Sequence, residues 1–236
     1  MTTRVVSINI EREKHLDTVM DFLRKENPDI VCLMEVRQQD LGELAGDKYM
    51  HVRYSPNDSL TRFGGTGTLG VAILSKQPIV SSKTYYCEEI IAEYLDDKRD
   101  THSPVCLVVQ IGDMQIGSVH FSWTPDGHIN ERQWKHAIKL IDWLKSVGEV
   151  VLCGDFNAVQ GEKVYVEMAK NFTDNLPQDV SSTIDPVLHR VNKDNHGKLA
   201  LVVDYIFSTP KYRVSEVKVE SRVSDHCALV CSVDLF

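Results

Sequence analysis

The 236-residue sequence has no run of about 18 consecutive apolar residues, which excludes a transmembrane helix from the sequence reading. A linker rich in glycine, serine or proline is also missing, so one domain spanning 1–236 is expected. Basic residues are in deficit, 26 Lys and Arg against 34 Asp and Glu, a net charge of −8. That balance excludes a broad basic surface wrapped around duplex DNA and leaves a local basic cleft open. None of the six cysteines (Cys32, Cys87, Cys106, Cys153, Cys227, Cys231) forms a Cys-x-x-Cys pair. Reduced thiols are expected, with residues 32, 106, 153 and 231 acting as small hydrophobes in apolar runs. The opening Met-Thr-Thr-Arg lacks the cationic segment, apolar run and cleavage site of a signal peptide, so a cytoplasmic location is expected. With 42% hydrophobic and 25% charged residues, the composition is that of a folded globular chain rather than collagen, coiled coil or a disordered tail.

Strand and helix patterns alternate along the chain. Val5 to Ile10 alternates like a strand, and Leu16, Val19, Met20 and Leu23 recur at helical spacing. Asn27-Pro28 ends that helix, because the residue before proline disfavours the helical region. Ile30 to Met34 is a continuous apolar run that a sheet covered on both faces would bury. A polar helical stretch is expected next, then a strand from Leu69 to Ser75. Pro104–Ile111 and Met114–Val119 form a hairpin across Gly112-Asp113. Trp134, Ile138, Ile141 and Leu144 mark a helix, and Val150 to Cys153 is another strand. Leu201 to Phe207, a mixed stretch at Val214–Val219, and Cys227 to Val233 follow. Eight to ten strands and three or four substantial helices, with hairpins among strand–helix units, predict an α/β fold of two mixed sheets packed face to face with helices outside.

Polar residues recur where these apolar runs end: Asn9, Glu35, His120, Asp155, Asn157, Asp204, Asp225 and His226. Rigid strand ends beside open loops are where sites form, although each residue alone is equally a cap or a turn. Glu35 is suited to a hard divalent cation; the bland alternative is a solvent-facing carboxylate at a helix N-terminus. In Gly154-Asp155-Phe156-Asn157, Asp155 can orient or deprotonate water while the Asn157 amide donates to a phosphoryl oxygen, and Phe156 points to the core. The alternative is a plain Asp/Asn turn. His226 is a candidate proton-transfer group oriented by Asp204, and adjacent Asp225 cannot share its direction in a regular strand. His120 and Asn9 are further donors to phosphate oxygens. Together these are the parts phosphoester hydrolysis requires: a cation, a placed water, a proton acceptor and fixed donors.

The ordered set Ser7-Ile8-Asn9-Ile10-Glu11, Cys32-Leu33-Met34-Glu35, Gly70 to Lys76, Val119-His120-Phe121, Gly154-Asp155-Phe156-Asn157, Val203 to Phe207 and Ser224-Asp225-His226 spans nearly the whole chain. It resembles the superfamily of metal-dependent endonucleases, exonucleases and phosphatases that share the fold of pancreatic-type deoxyribonuclease. The resemblance implies a four-layer α/β/β/α sandwich and Mg²⁺ or Mn²⁺ as cofactor. It implies Glu35 as central metal ligand, helped by Asn9 and Asp225. It further implies Asp155 on the nucleophilic water, Asn157 on phosphate, and the Asp204–His226 pair polarising phosphate or moving a proton. His120 matches the deoxyribonuclease and sphingomyelinase branches, where abasic-site endonucleases place tyrosine. Departures are Met34 in place of the usual Gln, and Glu11 where several repair members carry aspartate, facing either a second metal position or a surface salt bridge. Arg99 or His102 stands in for an arginine that relatives place directly before a strand.

For substrate, the loop from Thr183 to Lys198 offers His189, Arg190, Lys193, His196 and Lys198 as phosphate-facing candidates, the alternative being a solvated mixed-charge loop. Trp123, Tyr85, Tyr86 and Phe63 are candidates for stacking on bases, with Trp123 favoured at the site rim. The expected activity is a nuclease-like phosphodiesterase, with DNA ahead of RNA or a small phosphodiester and no obligate protein partner. The alternatives are a phosphatase or phosphodiesterase acting on small-molecule, inositol or lipid-headgroup phosphoesters, and a noncatalytic binder on the same scaffold.

Overall fold

Continuous apolar runs become strands buried on both sides. The computed structural model describes residues 2–88, 103–124, 128–195 and 199–236. One sheet contains β1 (Thr3–Asn9), β2 (Ile30–Arg37), β3 (His51–Ser59), β4 (Thr68–Ser75), β11 (Tyr212–Glu220) and β12 (Ala228–Leu235), in the order β11-β12-β1-β2-β4-β3. The other contains β5 (Ile79–Tyr86), β6 (Val105–Ile111), β7 (Met114–His120), β8 (Val151–Asp155), β9 (Thr173–Asp174) and β10 (Asp204–Ser208), in the order β5-β6-β7-β8-β10-β9. The β1–β2 and β7–β8 pairs are parallel and the remaining pairs antiparallel.

Alternation along β2 explains its unbroken hydrophobicity. Ile30, Cys32 and Met34 join the core between the sheets, whereas Val31 and Leu33 join the outer core with Val19 and Leu23 of α1 (Leu16–Glu26). Burying those two α1 side chains contributes about 1.5–3 kcal/mol each. On the far side, α3 (Glu131–Val147) contributes Ala137, Leu140, Ile141 and Leu144, and α4 (Lys163–Asn171) contributes Val164 and Met168. The expected four-layer α/β/β/α sandwich is therefore observed. All six cysteines are buried free thiols. Among the described residues no helix is long and apolar enough to cross a membrane.

Two expectations are corrected. The described residues hold twelve strands, not eight to ten. The stretch expected to be polar and helical holds only a 3₁₀ turn at Gln38–Asp40 and the five-residue α2 (Leu41–Ala45) before β3. β3 and β5 are sheet edges, and β5 exposes Val80 to Thr84, so neither carries the two-sided apolar signature. Pro56 lies at the register shift in β3, where a missing N–H costs no ladder bond.

Candidate active site

The sheet ends bring the predicted residues together. His120 is paired in register with Asp155 across β7–β8, and Asp155 with Asp204 across β8–β10, so three adjacent strands present them side by side. From the other sheet, Asn9 closes β1, and His226, held in an isolated bridge to Ile184, stands two residues before β12, which pairs with β1. Glu35 sits where β2 shifts register between Leu33 and Val36, with φ of 52°. Such a bulge re-aims a side chain that strict alternation would bury. Glu35 is thus inside a strand, not at a helix N-terminus.

Gly154 is what allows β8 to deliver Asp155. Its φ is +148°, and a Cβ there would meet the Val119 carbonyl oxygen at 2.1 Å. Beyond it Asn157 has φ of 46°, and its N–H donates to Asp155 Oδ1 at 2.9 Å. The Asp/Asn turn and the site are therefore one feature. Phe156 is buried as expected, packed edge-on against Tyr205 and Phe207.

Asn9 bridges the acids: its amide nitrogen lies 3.3 Å from Glu35 Oε1 and 3.2 Å from Asp155 Oδ2. Its side-chain carbonyl oxygen accepts the Glu11 N–H at 3.2 Å, so Asn9 donates to both carboxylates while its oxygen keeps a second lone pair. His226 Nδ1 lies 2.9 Å from Asp204 Oδ2, and its Nε2 faces Asp155 Oδ2 at 3.9 Å. Because a carboxylate only accepts, Nδ1–H donates to Asp204. Burial opposes charge on His226, but Asp204 and Asp155 outweigh it and hold the imidazole's pKa well above its ordinary value. Burial pushes the Asp155 carboxyl up to about 7, with Asp204 adding to the rise while His226, the Asn157 N–H and Asn9 oppose it. His120 Nε2 faces Glu35 Oε1 at 3.8 Å and Asp155 Oδ2 at 3.9 Å.

Glu35, His120, Asp155, Asn157 and His226 open into one cavity of about 460 Å³, which Glu11, Asp225, Trp123, His189 and Arg190 also line. Glu11, His15 and Asp225 place one ligand atom each within 4.8 Å of one another. Burial pushes Asp225 up to about 6, and Glu11 and Glu35 add to the rise. Carboxylates crowded in this way, with hard oxygen donors and one imidazole, fit a divalent cation. Asp155, Asp204 and His226 also place one ligand atom each within 4.8 Å of one another; there the His226–Asp204 hydrogen bond engages Nδ1 and Asp204 Oδ2, while Asp204 Oδ1 is buried without a hydrogen-bond partner.

Several substrate-side expectations change. His189 packs edge-on against His226, ring centroids 6.2 Å apart. Burial, followed by the His226 charge, lowers its pKa to about 4, so His189 is neutral near pH 7 and supplies no positive field. Arg190 is exposed at the cavity. Lys193 is exposed and is not among the cavity-lining residues. Lys198, His196, Arg99 and His102 lie outside the described residues. Tyr85 stacks on Trp143, and Tyr86 packs against the core, so neither lines the cavity; Trp123 and Phe63 do. Glu11 pairs with both Lys14 and His15 and also lines the cavity beside Asp225, so the salt bridges and the position near a candidate cation site coexist.

Residues missed in the sequence include His15, Asn57 and Gln133. Asn57 lies 3.4 Å from His120 Nδ1. Gln133 donates to the carbonyls of Ser122 and Asn157 at 2.9 and 2.8 Å. Helical spacing was the available signal for Gln133, one turn before Ala137 on the buried face of α3.

Residues 6–226 match the model of the Endonuclease/Exonuclease/phosphatase family. No curated protein sequence matches the chain. Among solved structures, a protein described as the endonuclease/exonuclease/phosphatase from Bacteroides vulgatus is 20% identical with a TM-score of 0.73, all of each chain being covered. The human Nocturnin catalytic domain is 18% identical with a TM-score of 0.70, covering 100% of this chain and 95% of that one. A mannosyl-6-phosphatase from Bacteroides thetaiotaomicron is 15% identical with a TM-score of 0.67, covering 99% of this chain and 100% of that one. At these identities the structural likeness speaks for the fold, and the family match covers most of the sequence. The chain belongs to the Endonuclease/Exonuclease/phosphatase family.

Proposed function

We propose that the chain, as one catalytic domain over 1–236, hydrolyses a phosphoester by attack of water with Mg²⁺ or Mn²⁺ as cofactor. The observation that carries this reading is the convergence of Glu35, Asp155, Asn157 and His226 on one cavity, with Asn9 and Asp204 bonded behind them. Glu35, Asp225 and Glu11 would hold the cation, with Asn9 aligning Glu35. The cation, when bound, supplies charge neutralisation for the phosphate oxygens.

Asp155 orients the attacking water and takes its proton, a task suited to a carboxyl raised to about 7. Asn157 gives one amide N–H to the Phe121 carbonyl at 3.2 Å, leaving the other for a phosphate oxygen. His226, kept cationic by Asp204, neutralises charge as it develops on phosphate or protonates the leaving oxygen. His120 supplies a second imidazole donor on the opposite side of Asp155.

The site's charge favours a nucleotide-sized phosphoester, or a strand end, over a long DNA duplex. Among cavity-lining cations, Arg12 faces Glu35, Lys14 pairs with Glu11, and Arg132 pairs with Glu88. Arg190 has no ion pair among the described residues. Duplex tracking draws its affinity from several phosphate-neutralising cations. The test is a panel of single- and double-stranded DNA, RNA, mononucleotides, sugar and inositol phosphates with Mg²⁺ or Mn²⁺. Turnover of the small esters or strand ends is expected, whereas processive cleavage of internal duplex sites would contradict this reading.

A further inference from the structure

Beside Asn157 the cavity wall ends a hydrogen-bonded chain that the hydrolytic steps leave unused. Ser122 lines the cavity, and its Oγ lies 2.7 Å from His136 Nδ1. His136 Nε2 lies 3.0 Å from Glu88 Oε1. Arg132 holds both oxygens of that carboxylate, at 2.8 and 2.5 Å. The direction of the chain follows from its end. An ionised carboxylate only accepts, so His136 Nε2–H donates to Glu88, and Nδ1 is left with a lone pair. The Ser122 hydroxyl must then donate its only proton to Nδ1, and its oxygen can only accept from the cavity. Burial lowers the His136 pKa, which keeps the ring in this neutral form.

Gln133 fixes where that acceptor sits, because it joins the carbonyls of Ser122 and Asn157 through one amide. Ser122 is therefore adjacent to the residue assigned to phosphate. The next residue, Trp123, is 65% exposed on the same cavity wall, an open face for a ring.

We propose that Ser122 is a substrate-binding residue that accepts a hydrogen bond from a hydroxyl on the ring carbon next to the ester, making the substrate the phosphoester of a hydroxylated ring, ribose or hexose, laid on Trp123. The inference rests on the phosphoesterase reading for the position of the phosphate. It shifts the preference from deoxyribose toward ribose-type or hexose substrates.

Two probe pairs that differ in this one hydroxyl test it by calorimetric titration with Mg²⁺ present. They are adenosine 3′-monophosphate against its 2′-deoxy form, and glucose 1-phosphate against its 2-deoxy form. The wild-type protein should bind the hydroxylated member about tenfold more tightly in one pair, the effect of one neutral hydrogen bond, and which pair discriminates identifies the ring. Ser122→Ala should bring that ratio close to one, and Ser122→Thr should retain it. Because both members are measured on one preparation, partial misfolding does not mimic the change. A wild-type ratio near one in both pairs, a ratio unchanged in Ser122→Ala, or no binding of any probe at millimolar concentration would overturn the proposal. Intact discrimination without turnover of any phosphoester would uphold Ser122 and refute the hydrolytic reading alone.

Discussion

Replacing Gly154 by alanine perturbs the point where β8 delivers Asp155. The added Cβ would lie 2.1 Å from the Val119 carbonyl oxygen and 2.8 Å from the Val119 nitrogen, both backbone atoms of β7. No rotamer change relieves that contact, so the two strands must part by roughly an ångström beside Val119↔Gly154 and His120↔Asp155. Weakening about two ladder hydrogen bonds costs about 1 kcal/mol each. Holding alanine at a φ of +148° adds about 1–3 kcal/mol of backbone strain. Gly154→Ala should therefore lose about 3–5 kcal/mol, read as a fall in the urea midpoint with the m-value unchanged. Gly42→Ala is the matched control. It lies in α2 with nothing within 4 Å of its Cβ, and should be neutral or gain up to about 1 kcal/mol. Equal midpoints for Gly154→Ala and wild type would refute the close-approach argument.

Asp204→Asn should let the His226 pKa fall toward its ordinary value, seen in an NMR imidazole titration, and should lower turnover by about 10²–10⁴-fold. An unmoved His226 titration would remove Asp204 from the account. Glu35→Ala should weaken Mg²⁺ binding by at least about tenfold in calorimetry while leaving the thermal midpoint of the metal-free protein nearly unchanged. His189 carries a folded-state pKa near 4, below its ordinary value of 6.5. Between those values the unfolded chain binds a proton that the folded chain does not, so this residue's contribution is complete above about pH 6.5 and is lost as pH falls toward 4. His189→Gln should therefore gain stability relative to wild type in urea melts at pH 4.5 compared with pH 7.5, and a pH-independent difference would contradict the assignment.

The residues legible in the sequence were those that end apolar runs. Asn9, His120 and Asp155 close strands, Glu35 interrupts β2, Asp204 opens β10 and His226 lies just before β12, and strand ends of two packed sheets meet at one edge. Ser122, His15 and Gln133 carry no such mark, because their roles come from partners brought near by packing or by a turn. Gln133 reaches Asn157, 24 residues away in sequence. β5 escaped notice because it is an edge strand that is largely exposed, and β3 because the residues it buries, Ser55, Asn57, Asp58 and Ser59, are polar. The protonation of His189 was not legible for a different reason: residue type gives the ordinary pKa, but burial and the neighbouring His226 charge decide the actual one.

Hydrolysis of bis-p-nitrophenyl phosphate, followed before and after chelation with Asp155→Asn run in parallel, tests the shared site most directly. The expected result is turnover in Mg²⁺ or Mn²⁺ that stops in saturating EDTA, returns when the cation is restored, and falls by about 10²–10⁴-fold in Asp155→Asn. Turnover that persists undiminished in EDTA, or an Asp155→Asn protein as active as wild type, would contradict it.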